Sequence, residues 1–149
     1  MILLLLIAAL ILLNLFFQLL MVGLSIRVFV WEIRRHPKSR RFLHDMRVTG
    51  AILLLLLAGH LLQMGLWAGA YLWCGEFESF ETAFYHSAVN YAALGYGDIV
   101  MSESWRLLGA LESAVGVMMF GVSAATLFAV LSKLVRLRLI EGGGVREVS

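Results

Sequence analysis

The sequence predicts an all-α membrane protein. It has three membrane-spanning helices, one shorter helix that enters the bilayer without crossing it, and a glycine-bearing loop after that helix. Three observations predict it. The 149 residues are 61% hydrophobic, against about 45–50% apolar residues in ordinary soluble domains. The apolar residues gather into three runs, each long enough for a hydrocarbon layer of about 30 Å. Between the second and third runs lies a segment too short to cross, ending in Ala93-Leu94-Gly95-Tyr96-Gly97-Asp98.

The first element is an N-terminal transmembrane helix within residues 1–30, built on the apolar run 2–26. A signal peptide would need a positive leading region, a shorter apolar run and a small-residue cleavage site, and none is present. Asn14 and Gln18 are four apart and share one face. That face either bonds a neighbouring helix or holds two tolerated polar residues.

Residues 31–47 form a basic loop. With the flanking Arg27, the segment carries Arg34, Arg35, Lys38, Arg40, Arg41 and Arg47 against Glu32 and Asp45. Pro37 is the sole proline and breaks a continuous helix. An excess of Lys and Arg marks a cytoplasmic loop, which puts the N-terminus outside. The same cluster would attract anionic membrane lipids.

The second span, the outer helix, covers 48–73 and ends in Trp67, Tyr71 and Trp73, as an interfacial aromatic belt does. His60 and Gln63 share a face there, read as a pair satisfied by neighbouring helices, with proton sensing by His60 as the alternative. The outer loop holds Glu76, Glu78 and Glu81; with Asp98 and Glu103 it makes an acidic face that concentrates cations.

The short helix covers 80–92 and would stop at mid-depth, its C-terminal end aiming partial negative charge at a cation beyond it. The loop 93–98 follows. Glycine adopts positive φ without steric cost, so Gly95 and Gly97 can alternate with Leu94 and Tyr96 and turn successive carbonyls to one side. The third span, the inner helix, covers 105–134, with Lys133, Arg136 and Arg138 at its cytoplasmic end. Glu112 is the one carboxylate within a span, and such groups mark functional sites by default. It is expected to reach the short helix or the loop, with Asn90 and Tyr96 as partners; the alternative is a carboxyl snorkelling to the interface. Residues 139–149, with Gly142-Gly143-Gly144, read as a flexible cytoplasmic tail.

Other chemistry is excluded. Cys74 is the sole cysteine, and the four histidines have no metal-ligand spacing. No nucleotide loop, zinc motif or nucleophile elbow is present, so neither an enzyme, a bound cofactor nor a nucleic-acid partner is expected.

The stretch A-L-G-Y-G-D closely resembles the potassium channel signature T-x-G-Y-G-D, with Ala93 where that family has threonine. Together with the following W-R-L-L-G-A-L-E, it resembles small bacterial channels of the two-helix-plus-pore-loop type, carrying here an extra N-terminal span. The resemblance covers residues 48–138. It implies that 80–92 is a pore helix and that 93–98 is a selectivity filter. K+ would be the permeant ion, held by the carbonyls of Ala93, Leu94, Gly95 and Tyr96. On that reading Asn90 and Glu112 become filter support; the resemblance itself implies a gating hinge at Gly116 or Gly121, with Gly116 the better placed, and a homotetramer in the bacterial inner membrane. Alanine at 93 removes a hydroxyl from the innermost ion site. The first span has no regular arginine repeat, so it is not a voltage sensor. Three other readings share the pattern: a non-selective cation channel on the same module, a potassium-transporter subunit, and a non-conducting structural membrane protein.

Overall fold

The computed structural model describes residues 2–35 and 42–141, and among them it is all helical. Four helices follow in order: α1 Ile2–Arg35, α2 Phe42–Trp73, α3 Phe80–Tyr91 and α4 Arg106–Glu141. α1, α2 and α4 are long and apolar enough to cross a membrane. α3 has 12 residues, about 18 Å at 1.5 Å per residue, and is too short to do so.

α1 and α2 lie antiparallel. Ile7 and Leu10 near the start of α1 share an apolar cluster with Met64, Trp67 and Tyr71 near the end of α2. Met21 and Phe29, further along α1, share a second cluster with Val48, Ile52 and Leu56 of α2 and Val130 and Leu134 of α4. The upper cluster also takes in Ala83 and Tyr91 of α3 and Leu108, Val115 and Met119 of α4, and the short helix is seated between α2 and α4.

The connection between α1 and α2 is shorter than the loop read over 31–47. Helix continues to Arg35 and resumes at Phe42. Apolarity reports where a helix leaves the bilayer, not where it ends, and Arg, Glu and Lys are good helix formers. The break read at Pro37 lies outside the described residues. The tail read over 139–149 begins in helix, since α4 runs to Glu141; its remainder also lies outside them. Beside this junction Arg138 Nε donates to Asp45 Oδ2 at 2.5 Å, tying α4 to the first turn of α2.

Candidate functional site

α3 starts on Ser79, an N-cap whose hydroxyl accepts from the Thr82 amide at 3.2 Å. Its other end sets the geometry of the loop. The Ala93 amide donates to the Asn90 carbonyl at 2.7 Å and the Leu94 amide to the Val89 carbonyl at 2.9 Å. With Ala93 at φ 55°, this is a Schellman cap, in which the first left-handed residue is usually glycine. Residue 93 is therefore the end of the helix cap and the start of the candidate filter together.

From there φ alternates in sign. Ala93 is at 55°, Gly95 at 60° and Gly97 at 72°, while Leu94 and Tyr96 stay at negative φ. Alternation between left-handed and right-handed halves of conformational space turns successive carbonyls the same way. The sequence pointed to alternation at the two glycines; the structure extends it to Ala93. A non-glycine residue there costs about 1–2 kcal/mol, and a β-branched threonine would be a conformational outlier. The small side chain suits the cap this chain builds. Tyr96 is 66% exposed and Leu94 55%. A groove of about 410 Å³ behind the loop is lined by His86, Asn90, Gly95, Gly97 and Met101. One chain alone leaves this loop uncovered.

Side chains of α3 and of the outer loop hold the loop and its return. The Tyr85 hydroxyl donates to Asp98 Oδ2 at 2.7 Å, which holds the Asp98 carboxyl below its usual range and the Tyr85 phenol above its own. The Asn90 amide lies 2.8 Å from His86 Nε2, and His86 Nδ1 lies 3.1 Å from the Ile99 carbonyl. Asn90 can thus donate to His86, and His86 to the chain leaving the loop. Glu76 accepts from both the amide and the hydroxyl of Ser102, each at 2.7 Å. This member of the acidic outer set is a strut between the outer loop and the segment before α4.

Glu112 is fully buried, so its carboxyl does not reach the interface. Its partners are not Asn90 or Tyr96. Tyr71 of α2 donates to Oε2, and the Ser87 hydroxyl of α3 lies 2.5 Å from Oε1 and 2.8 Å from the Met64 carbonyl. The carboxyl therefore joins α2, α3 and α4 beside the middle of the short helix. Ser87 lies one turn before Asn90 on the buried face of α3, whereas Asn90 turns to His86.

The two candidate hinge glycines differ. A Cβ on Gly116 would lie 2.1 Å from the Tyr91 carbonyl oxygen, while Gly121 has nothing within 4 Å. Gly116 is thus accounted for by close approach of α4 to the end of α3, and α4 is unbroken through both positions. Of the two, Gly121 alone is free of a packing explanation.

A second polar group lies deeper. Gln18 of α1 donates to Ser123 Oγ of α4 at 2.9 Å and approaches the Met119 carbonyl at 3.3 Å. Gln63 of α2 donates to Gln18 Oε1 at 3.0 Å, and Tyr91 of α3 donates to Gln63 Oε1 at 2.9 Å. His60 lies 3.1 Å from the Tyr91 hydroxyl through Nδ1 and 2.9 Å from Ser123 Oγ through Nε2. The face of α1 read from Asn14 and Gln18 divides: Gln18 crosses to two helices, whereas Asn14 donates to the Leu10 carbonyl of its own helix at 2.8 Å. The sequence marks Tyr71 only as a belt aromatic and gives Ser123 and Tyr91 no role. A polar residue at the right depth in each helix was the available signal, but the register that joins them is tertiary.

A short helix held between two spans, capped into a loop of alternating φ, is a pore-loop arrangement. Comparison with curated proteins and with solved structures gave no match. A family model described as an ion channel matches residues 59–133, just over half of the chain and the whole of the segment from mid-α2 to the last turns of α4. With three helices fit to cross a membrane, this integral membrane protein belongs to that ion channel family.

Proposed function

We propose that the chain is one of four identical subunits of a potassium-selective channel. It would pass K+ down its gradient across the bacterial inner membrane, with the N-terminus outside and the C-terminus in the cytoplasm. The observation that carries this reading is the run of alternating φ from Ala93 to Gly97 at the end of a half-length helix. Carbonyls turned to one side can replace an ion's hydration shell once several copies face an axis. The exposed Leu94 and Tyr96 leave room for those copies, and closed rings are the usual form of such assemblies. Basic residues around Arg34 and Arg138 and acidic ones around Glu76 and Asp98 support the orientation; the basic cluster would also meet anionic lipid headgroups.

Purified protein in a planar bilayer with opposing K+ and Na+ tests it. The expected reversal potential lies close to that of K+, and the protein in mild detergent runs as a tetramer. Reversal near zero favours the non-selective alternative, because Ala93 supplies no hydroxyl to the innermost site. No discrete openings would favour a structural protein. Gly97→Ala, with a Cβ forced to φ 72° in every subunit, is expected to remove most selective current at about 1–2 kcal/mol per copy. Undiminished current from that variant overturns the filter assignment.

A further inference from the structure

The contacts among Gln18, Gln63, Tyr91, His60 and Ser123 close into a ring that draws on all four helices. All five residues are buried. Each can donate one hydrogen bond and accept one around the cycle if His60 is neutral. Such a ring can close in two opposite senses, which differ in the orientation of both amides and in which nitrogen of His60 carries hydrogen. The Met119 carbonyl breaks the tie. It is an acceptor only, and Gln18 Nε2 lies 3.3 Å from it, so Gln18 must present its NH₂ group to α4. The rest follows in order. Gln18 donates to Ser123, Ser123 donates to His60 Nε2, His60 donates through Nδ1 to Tyr91, Tyr91 to Gln63, and Gln63 back to Gln18.

We propose that this ring is a positioning device of the pore, and that α1, which lies outside the matched channel segment, is a working part of the channel through Gln18. The inference rests on the pore reading above. Tyr91 is the last residue of α3 and lies two residues before Ala93, where the alternating loop begins. Ser123 lies on α4 two residues past Gly121. The ring therefore joins the base of the candidate filter to the inner helix beyond its unpacked glycine. One amide on α1 sets the direction in which every member donates. Gln18, Gln63, His60 and Ser123 are positioning residues: they act on the ion path through Tyr91 and α4.

The test compares wild type with Gln18→Leu, Ser123→Ala, Ser123→Thr and, as a control on an exposed face of α1, Phe16→Leu. Nitrogen-15 NMR of the His60 ring in reconstituted protein reads the sense of the ring, and single-channel recording reads the conductive dwell time. Wild type is expected to show hydrogen on Nδ1 and a bare Nε2. Gln18→Leu frees Ser123 to accept and is expected to move His60 toward the Nε2–H form, whereas Ser123→Ala leaves Nε2 no acceptor and should keep hydrogen on Nδ1; both are expected to shorten the dwell time at least tenfold. The double variant should be no worse than either single one, because a ring fails as a unit. Ser123→Thr, which keeps the hydroxyl, and Phe16→Leu should match wild type in both readouts.

Hydrogen on Nε2 in wild type overturns the ring's assigned sense. An unchanged dwell time in both Gln18→Leu and Ser123→Ala overturns the positioning role even if the tautomer shifts. A wild-type protein that conducts no ion overturns the pore reading itself and this role with it; the NMR arm identifies that case, because the ring's sense is read without any current.

Discussion

Two buried polar clusters grip α4, one at Glu112 and one at Ser123, about 16 Å apart along the helix at 1.5 Å per residue. They are built differently. At Glu112, hydroxyls from Tyr71 and Ser87 converge on one carboxyl, which is the central acceptor, with the Met64 carbonyl as a second partner for Ser87 alone. At Ser123 there is no centre. Each member gives and receives, and α1 takes part. The upper cluster joins only helices of the matched channel segment and stands beside the middle of α3. The lower one recruits the additional span and stands at the end of α3. A convergent cluster fixes a position, whereas a cyclic one fixes a register among four helices.

The largest expected effect comes from removing the centre of the upper cluster. Glu112→Ala strands the buried Tyr71 hydroxyl at about 1–3 kcal/mol and leaves Ser87 only the Met64 carbonyl, so the thermal midpoint of the detergent-solubilised protein should fall by several degrees. Glu112→Gln keeps an acceptor oxygen and should recover at least half of that loss. Equal losses for Ala and Gln would show that the charge, not the convergence, matters.

Next comes the segment between the clusters. Gly116→Ala drives a Cβ into the Tyr91 carbonyl, at a cost of about 1–3 kcal/mol for overpacking. Gly121→Ala meets open space and should be neutral or stabilising by up to about 1 kcal/mol. Thermal melts of both variants sharpen the contrast between a pinned and an unpinned stretch of α4. Similar melts would remove it.

The smallest effect separates one hydroxyl from another. Tyr71→Phe leaves Glu112 still bonded to Ser87 and should cost about 1 kcal/mol. Tyr91→Phe opens the ring and leaves both His60 Nδ1 and Gln63 Oε1 without their partner, so it should cost more than Tyr71→Phe in the same assay. The reverse order would mean that the ring contributes nothing as a cycle.

How much of this was legible in the sequence follows from what carries each feature. The spans are legible because the bilayer demands length and apolarity, and the loop because glycines at alternate positions permit alternating φ. The place of Ala93 in a helix cap was hidden, since alanine carries no sign of a left-handed backbone. Glu112 stood out as a carboxyl in a span, yet its partners depend on how α2 and α3 are rotated against α4. The ring was less visible still. Gln18, Gln63 and His60 were readable as polar residues on helix faces, but Ser123 and Tyr91 look like ordinary residues of apolar helices until four elements are brought into register.

On the proposed channel reading, the tight seat of Gly116 on the Tyr91 carbonyl would give α4 the mechanics of a lever. The helix is held at that point, and Gly121, five residues on, is the next glycine with open space around it and would serve as the fulcrum. The arm from Gly121 to the far end of the helix is about 30 Å long, while Ser123 stands only about 3 Å from the fulcrum. A swing of about 5 Å at the far end would thus move Ser123 by about 0.5 Å, enough to stretch its 2.9 Å contacts to the limit of hydrogen bonding. Arg138, near the tip, would travel nearly the whole 5 Å and leave Asp45 early in the motion. Leverage would then set the order of release in such a swing, with the ion pair at the tip yielding first and the ring beside the fulcrum last.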